Sequence, residues 1–447
     1  MMSSKFNAAI AALFGICIST PVGVQAAELA KIDWSAVPKS EITLFYPGQA
    51  SSEWVLSAEH KKGGSKGVKD GKTCVECHKG EEAEIGSTIA GGKKLEPQPI
   101  AGFPGSIKVT VQAAYDAENL YLKASWPAKG PGIYHEYAVY KDGKWDEPFG
   151  SHRGNALVRN GKTPASYEDR FSIMLGDGKS VPAFNTQGCW AACHNDMRFM
   201  PNEAKKEDVQ AHPILGKTGM KKSDIRKYIA ESRTAMGESG GWDKIKTPAE
   251  IAALQDKGVF LDLWQWRANR SNWTKAADDG YVLEYRNMDA GKAMFAENWD
   301  GEKHQPKLMF DPAKNKGRAA LAWADFQNPK SPYILIDTEA VPYDASYKFK
   351  DGDLIPLFNG VSKSEGSAAD NKSVMGTHAN GTWTVLWQRK LSTGKPKDDV
   401  VLKAGESYPI GLSVHDNMTT ARWHFVSFPM TLSLGKQGAD VNAVQLK

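Results

Sequence analysis

The chain has 447 residues, 41% of them hydrophobic and 14 of them tryptophan, which is enough apolar material to bury a substantial core. A formal charge of +4 over that length argues against nucleic-acid binding and against a strongly electrostatic membrane role. Beyond the first two dozen residues no stretch approaches the ~18 apolar residues needed to cross a bilayer, so the processed chain is expected not to span a membrane.

Residues 1–26 read as a secretory signal peptide. Lys5 supplies the positive start, residues 8–18 the apolar centre and Val24-Gln25-Ala26 a small-residue cleavage site. A mature chain beginning at Ala27 would be exported, with the periplasm as its expected location. Of the five cysteines, Cys17 leaves with the signal.

The other four cysteines fall in two motifs, each closed by a histidine. Cys74-Val75-Glu76-Cys77-His78 has the spacing of a covalent haem attachment site, in which two thiols add to the haem vinyl groups and the next histidine ligates the iron. Cys189-Trp190-Ala191-Ala192-Cys193-His194 repeats the order with one more residue between the cysteines. Two disulfides, or one four-thiolate zinc site, would also consume four cysteines outside the cytoplasm. Neither needs a histidine after each pair, and histidine is scarce here, ten in the chain. The expectation is therefore two covalently bound haems c, with His78 and His194 as near ligands.

Residues 27–105 are rich in Lys, Gly, Glu and Pro and lack sustained periodicity, as expected of an irregular segment that wraps its own haem. Residues 52–60 suggest a short helix, followed by a glycine-rich connector over 61–71 that can fold back over a porphyrin. His60 is the candidate second ligand of the first haem, set against the plain alternative of a solvated histidine.

From residue 106 the pattern has period two. Ile107, Val109 and Val111 alternate with Lys108 and Thr110, the chain turns at residues 116–119 and returns over 120–126. Further strands are expected at 170–175, 259–266, 319–322, 382–388, 408–414 and 423–434. Residues 205–254, with helix-start signals near 221 and 247, read as a helical insertion, and 359–381 as a Gly/Ser/Asn-rich loop. The expected fold is mainly β: an antiparallel β-sandwich over 106–447 with a helical insertion, preceded by the haem-bearing segment.

Five pieces of this run carry a family resemblance: residues 167–175, 188–194, 262–266, 381–394 and 411–427. In order and character they resemble the haem-binding domain of the γ subunit of ethylbenzene dehydrogenase and related cytochromes of the type II dimethyl sulfoxide reductase group. The resemblance implies a sandwich that holds one haem between loops and passes electrons rather than transforming a substrate. The γ subunit holds its haem noncovalently through methionine and lysine; here a cysteine motif stands in the methionine region, and His424 lies where the relatives carry the lysine. That makes His424 the candidate far ligand of the second haem, with Met197, Met200, His415, His152 or an open site as alternatives. His135, His212, His304 and His378 lack a motif and are expected to be surface or hydrogen-bonding residues.

The resulting expectation is a periplasmic dihaem cytochrome c, an electron-transfer protein and not an enzyme. By family analogy its partners are a membrane quinol-oxidising cytochrome and a periplasmic redox enzyme. The rival readings are a peroxidase or small-oxyanion reductase with one open iron, and a haem-based ligand sensor.

Overall fold

The structure, a computed structural model, describes Leu29 and residues 31–92, 95–326 and 334–446; the expected signal segment lies outside them. Thirteen strands form one sheet. In chain order they are β1 (Ser40–Phe45), β2 (Ser106–Tyr115), β3 (Asn119–Pro127), β4 (Arg170–Leu175), β5 (Leu261–Arg267), β6 (Asp278–Val282), β7 (Arg286–Met288), β8 (Ser373–Ala379), β9 (Thr382–Lys390), β10 (Ser407–His415), β11 (Phe425–Val426), β12 (Met430–Leu434) and β13 (Val441–Gln445). Their spatial order is β8-β9-β3-β2-β1-β11-β10-β4-β5-β6-β7, while β12 joins β10 to β13 and β13 runs parallel to β2. Most pairs are antiparallel, as the alternating sequence requires.

The hairpin shows how composition becomes shape. Val109 and Val111 of β2 are buried while Lys108 points to solvent. Asp116 shapes the turn by accepting from the backbone N–H groups of Glu118 and Asn119, both at 2.8 Å.

The sheet doubles over so that its two halves face each other through tryptophans. Trp126 of β3 stacks on Phe171 of β4 (5.7 Å between centroids), and Trp264 of β5 lies 6.1 Å from Trp387 of β9. Trp266 meets Trp383 edge-on at 5.0 Å. Such pairs each add about 0.5–1.5 kcal/mol beyond the area they bury. The rings are core, and three of them have a partner for the indole N–H: Trp383 Nε1 donates to Asp169, Trp387 Nε1 to Asn371 and Trp266 Nε1 to Asn272.

The N-terminal segment packs onto this sandwich. Its strand β1 is hydrogen-bonded between β2 and β11, and four short helices follow: α1 (Ser52–Leu56), α2 (Gly64–Lys69), α3 (Cys74–His78) and α4 (Glu82–Ala90). Where α4 crosses the sheet connection, a Cβ on Gly86 would lie 1.9 Å from the Gly105 carbonyl, so this approach requires glycine. Glu96, fully buried, accepts from Arg422 Nη2 at 2.9 Å and so joins the segment to the loop before β11.

Several expectations are corrected in detail. The connector 61–71 contains helix α2, and the expected loop 359–381 contains strand β8. Residues 319–322 form no strand; Leu321 makes one isolated bridge to Leu354 in a separate apolar cluster with Tyr137 and Phe310. The insertion 205–254 is mostly turns, with only α5 (Lys206–Ala211), a 3₁₀ turn (Ala230–Ser232) and α6 (Pro248–Asp256). Around Lys221, whose φ is +58°, the chain turns instead of starting a helix. Ile225 and Tyr228 are then drawn individually into an apolar cluster with Tyr285. Among the described residues no helix is long and apolar enough to cross a membrane.

Candidate functional site

Helix α3 is the first motif itself. Thr73 and Glu76 cap it reciprocally, Thr73 N–H donating to Glu76 Oε1 at 2.8 Å. One helical turn therefore places Cys74, Cys77 and His78, at i, i+3 and i+4, on one face. That face borders a cavity of about 430 Å³ with mainly apolar walls, closed by Phe45 of β1, Val68 of α2, Ile85 of α4 and Phe428. The volume lies in the range of cofactor sites.

His60 enters the same cavity from the loop after α1. Its ring faces that of His78, with centroids 6.0 Å apart and planes 19° from parallel. Two imidazoles presented across one metal ion have this separation, with bonds of ~2 Å on each side plus two ring radii. Each ring is anchored through its Nδ1, His60 donating to the Val55 carbonyl at 2.9 Å and His78 to Glu81 Oε2 at 2.8 Å. Such an anchor fixes the tautomer and leaves Nε2 as a metal ligand. Trp54 stacks behind His60 at 5.2 Å and Phe428 behind His78 at 6.1 Å. A Cβ on Gly64 would lie 2.5 Å from the His60 ring, so α2 packs flush against it.

The second motif is a 3₁₀ turn, Gly188–Ala192, ending in Cys193. Gly188 has φ +55°, and a Cβ there would meet Pro429 at 3.1 Å. Cys189 lies beneath Gly411 of β10; Cys193 Sγ lies 3.8 Å from the Ala50 carbonyl. None of the four described cysteines is paired in a disulfide. Burial pushes the thiols of Cys74 and Cys193 up to about 11. The two pairs do not converge on one centre: the first lines the cavity and the second lies under β10.

His194 is buried (1% exposed) and held tightly: its Nδ1 donates to Glu53 Oε1 at 2.6 Å, its ring stacks on Tyr228 at 4.0 Å, and its Nε2 lies 3.2 Å from the Tyr228 carbonyl. Burial works against the Glu53 charge, yet the hydrogen bond from His194 prevails and the carboxyl titrates below its ordinary value. Glu53 Oε2 also accepts from Asn195 N–H at 2.8 Å.

His424 stacks on His415, with centroids 4.7 Å apart and planes 11° from parallel. His424 as a residue is half-buried, and its Nδ1, like that of His415, is buried and without a partner. Burial, reinforced by Lys227, holds His424 down to about 3; the same Lys227 acts on Cys189 and Cys193. His152 is likewise buried and unpartnered, 5.2 Å from Trp423 and 5.5 Å from Phe199. Met197 joins the apolar cluster around Tyr228, and Met200 is buried.

The donor sets fit haem c at both motifs in chemistry: two thiols, then an imidazole whose Nδ1 is held by a carboxylate. At the first motif the cavity and the opposed His60 complete the fit. Buried ring nitrogens without a partner are also found at His152, His415 and His424.

Sequence reasoning missed the contact between the two motifs. Trp190, inside the second motif, lines the first cavity and packs on Phe45 (5.7 Å) and Phe428 (6.0 Å). Helix α1 adds a second link, sending Glu53 to His194 and Trp54 to His60. His135 was also misread: it is buried beside Tyr167, with neither ring nitrogen partnered.

Comparison with known proteins adds to this geometry. The family described as ethylbenzene dehydrogenase matches residues 31–427. Cytochrome c-552 of Stutzerimonas stutzeri is 28% identical over 417 residues, covering 93% of this chain and 91% of the relative. Cytochrome c-551 of Rhodocyclus tenuis is 34% identical over 284 residues, 62% of this chain and 92% of the relative.

Proposed function

Because this chain belongs to the ethylbenzene dehydrogenase family and is a haem-binding cytochrome c, we propose that it is a periplasmic dihaem electron carrier working between a membrane quinol-oxidising cytochrome and a periplasmic redox enzyme. Haem c supplies one-electron chemistry, the iron alternating between ferric and ferrous states. Everything else falls to the chain. Cys74 and Cys77 would hold the first group and Cys189 and Cys193 the second, with His78 and His60 as ligands of the first iron and His194 and His424 of the second.

The observation that carries this reading is the shared wall. Trp190 belongs to one attachment motif and lines the cavity of the other, so the two sites share a side-chain wall. A carrier needs an entry and an exit in contact, and two sites with different surroundings supply them. Glu53, on Nδ1 of His194, would raise the basicity of that ring and favour the ferric form; Glu81 would do the same for His78 from a more exposed position.

One observation favours a second reading. His424 stacks on His415 rather than on His194, and an iron held by His194 alone would be open to small ligands. Spectroscopy of the purified protein separates the two. A carrier has low-spin iron at both sites, a haemochrome count of two and no rapid carbon monoxide binding after reduction. A high-spin component that takes up carbon monoxide supports the enzyme or sensor.

A further inference from the structure

Away from both motifs, five aspartates are buried together where the two halves of the sandwich meet. Asp262 of β5, Asp279 of β6 and Asp289, just after β7, come from one half; Asp398 and Asp399, in the loop after β9, come from the other. Arg389 of β9 is the guanidinium set among them, with Nη1 on Asp279 Oδ2 at 2.5 Å and Nη2 bonded to Asp399 Oδ1 and 3.7 Å from Asp262. One guanidinium does not balance five carboxylates in a region of low dielectric.

The ion pairs account for only part of the cluster. One oxygen each from Asp289, Asp398 and Asp399 lie within 4.8 Å of one another, and the ion pairs of Arg389 are with Asp262, Asp279 and Asp399. The Asp289 side chain, 4% exposed, has neither carboxylate oxygen hydrogen-bonded, and it points into this group. Asp279 Oδ1 and Asp262 Oδ1 beside it are also unpartnered. The nearby Lys395 is engaged by Asp370 at 2.7 Å. Burial first, then the neighbouring Asp279 and Asp262, works against a charge on the Asp289 carboxyl.

We propose that Asp289, Asp398 and Asp399 form a calcium site that ties the two halves of the sandwich together through the loop after β9. The donors are all oxygen, which disfavours zinc and copper. Calcium takes 6–8 oxygens at about 2.3–2.6 Å, so opposed ligands lie at most ~5 Å apart, and the three carboxylate oxygens lie within that limit. Magnesium dehydrates reluctantly and keeps several waters, which suits a sealed carboxylate cluster poorly.

The test uses the full-length haem-loaded protein. Metal analysis after gel filtration should find one calcium per chain. EGTA should lower the melting temperature by several degrees, and calcium chloride should restore it where equimolar magnesium chloride does not. Asp289→Asn should weaken calcium binding at least tenfold by calorimetry with the haem spectrum unchanged. If that variant does not fold, Asp398→Asn and the wild-type titration decide. A wild-type protein that carries no calcium, gives no heat with calcium chloride and keeps its melting temperature in EGTA overturns the proposal and leaves Asp289 protonated. Equal rescue by magnesium overturns it as well.

Discussion

His60 and His78 present parallel imidazoles to each other across the first cavity, 6.0 Å apart, each held at Nδ1 by an oxygen from its own short stretch of chain. Both residues line the cavity that Cys74 and Cys77 border. The pairing predicts that His60→Ala converts half of the low-spin haem to a high-spin form that binds carbon monoxide, read by absorption and electron paramagnetic resonance. Gly64→Ala should produce the same change in part, because its methyl group would enter the ring position of His60. An unchanged spectrum in both variants removes His60 from the site.

Glu53 predicts a pH dependence. Its carboxyl titrates below its ordinary value in the folded protein, so it binds protons less readily there than in the unfolded chain. Its contribution to stability is therefore fully present above the ordinary value of 4.5 and is lost as pH falls through the lower folded value. Glu53→Gln should melt lower than wild type at pH 7, with the gap closing in acid. The same variant should raise the potential of one haem only, measured by a spectroscopic redox titration.

Arg422 and Glu96 form a buried pair that fastens the N-terminal segment to the loop carrying His424. Removing one partner leaves the other charge buried. Arg422→Ala should therefore cost about 3–5 kcal/mol in chemical denaturation, far more than a surface pair would. A loss below about 1 kcal/mol would show that the segment is held by other contacts.

Trp190 predicts a kinetic effect. Trp190→Ala removes a buried aromatic ring, costs about 3–5 kcal/mol and opens the wall between the motifs. Electron transfer between the two haems, followed after rapid partial reduction, should slow. Trp190→Phe, which keeps a ring in the wall, should recover most of the rate. Equal rates in all three proteins would show that the wall does not carry the coupling.

What the sequence disclosed was local. The helical spacing of Cys74, Cys77 and His78, and the alternation of Ile107, Val109 and Val111, are written within one turn or one strand, where side-chain direction follows from backbone period. The Glu53 to His194 bond spans 141 residues, and Trp190 meets Phe428 only because β11 lies beside β1. No periodicity encodes such pairings. The helix expected from the signal near 247 forms as α6, but the one expected near 221 does not, for a related reason: Tyr228 stacks on His194 and Ile225 packs near Tyr285 instead. Glu53 alone left a trace, an acidic residue in the short helix that also carries Trp54.

Mass spectrometry of the mature protein and its proteolytic peptides tests the central claim most directly. The account predicts a chain heavier by two haem groups, one on the peptide with Cys74 and Cys77 and one on the peptide with Cys189 and Cys193. A single added group, or free thiols at either pair after maturation in a competent host, would contradict it.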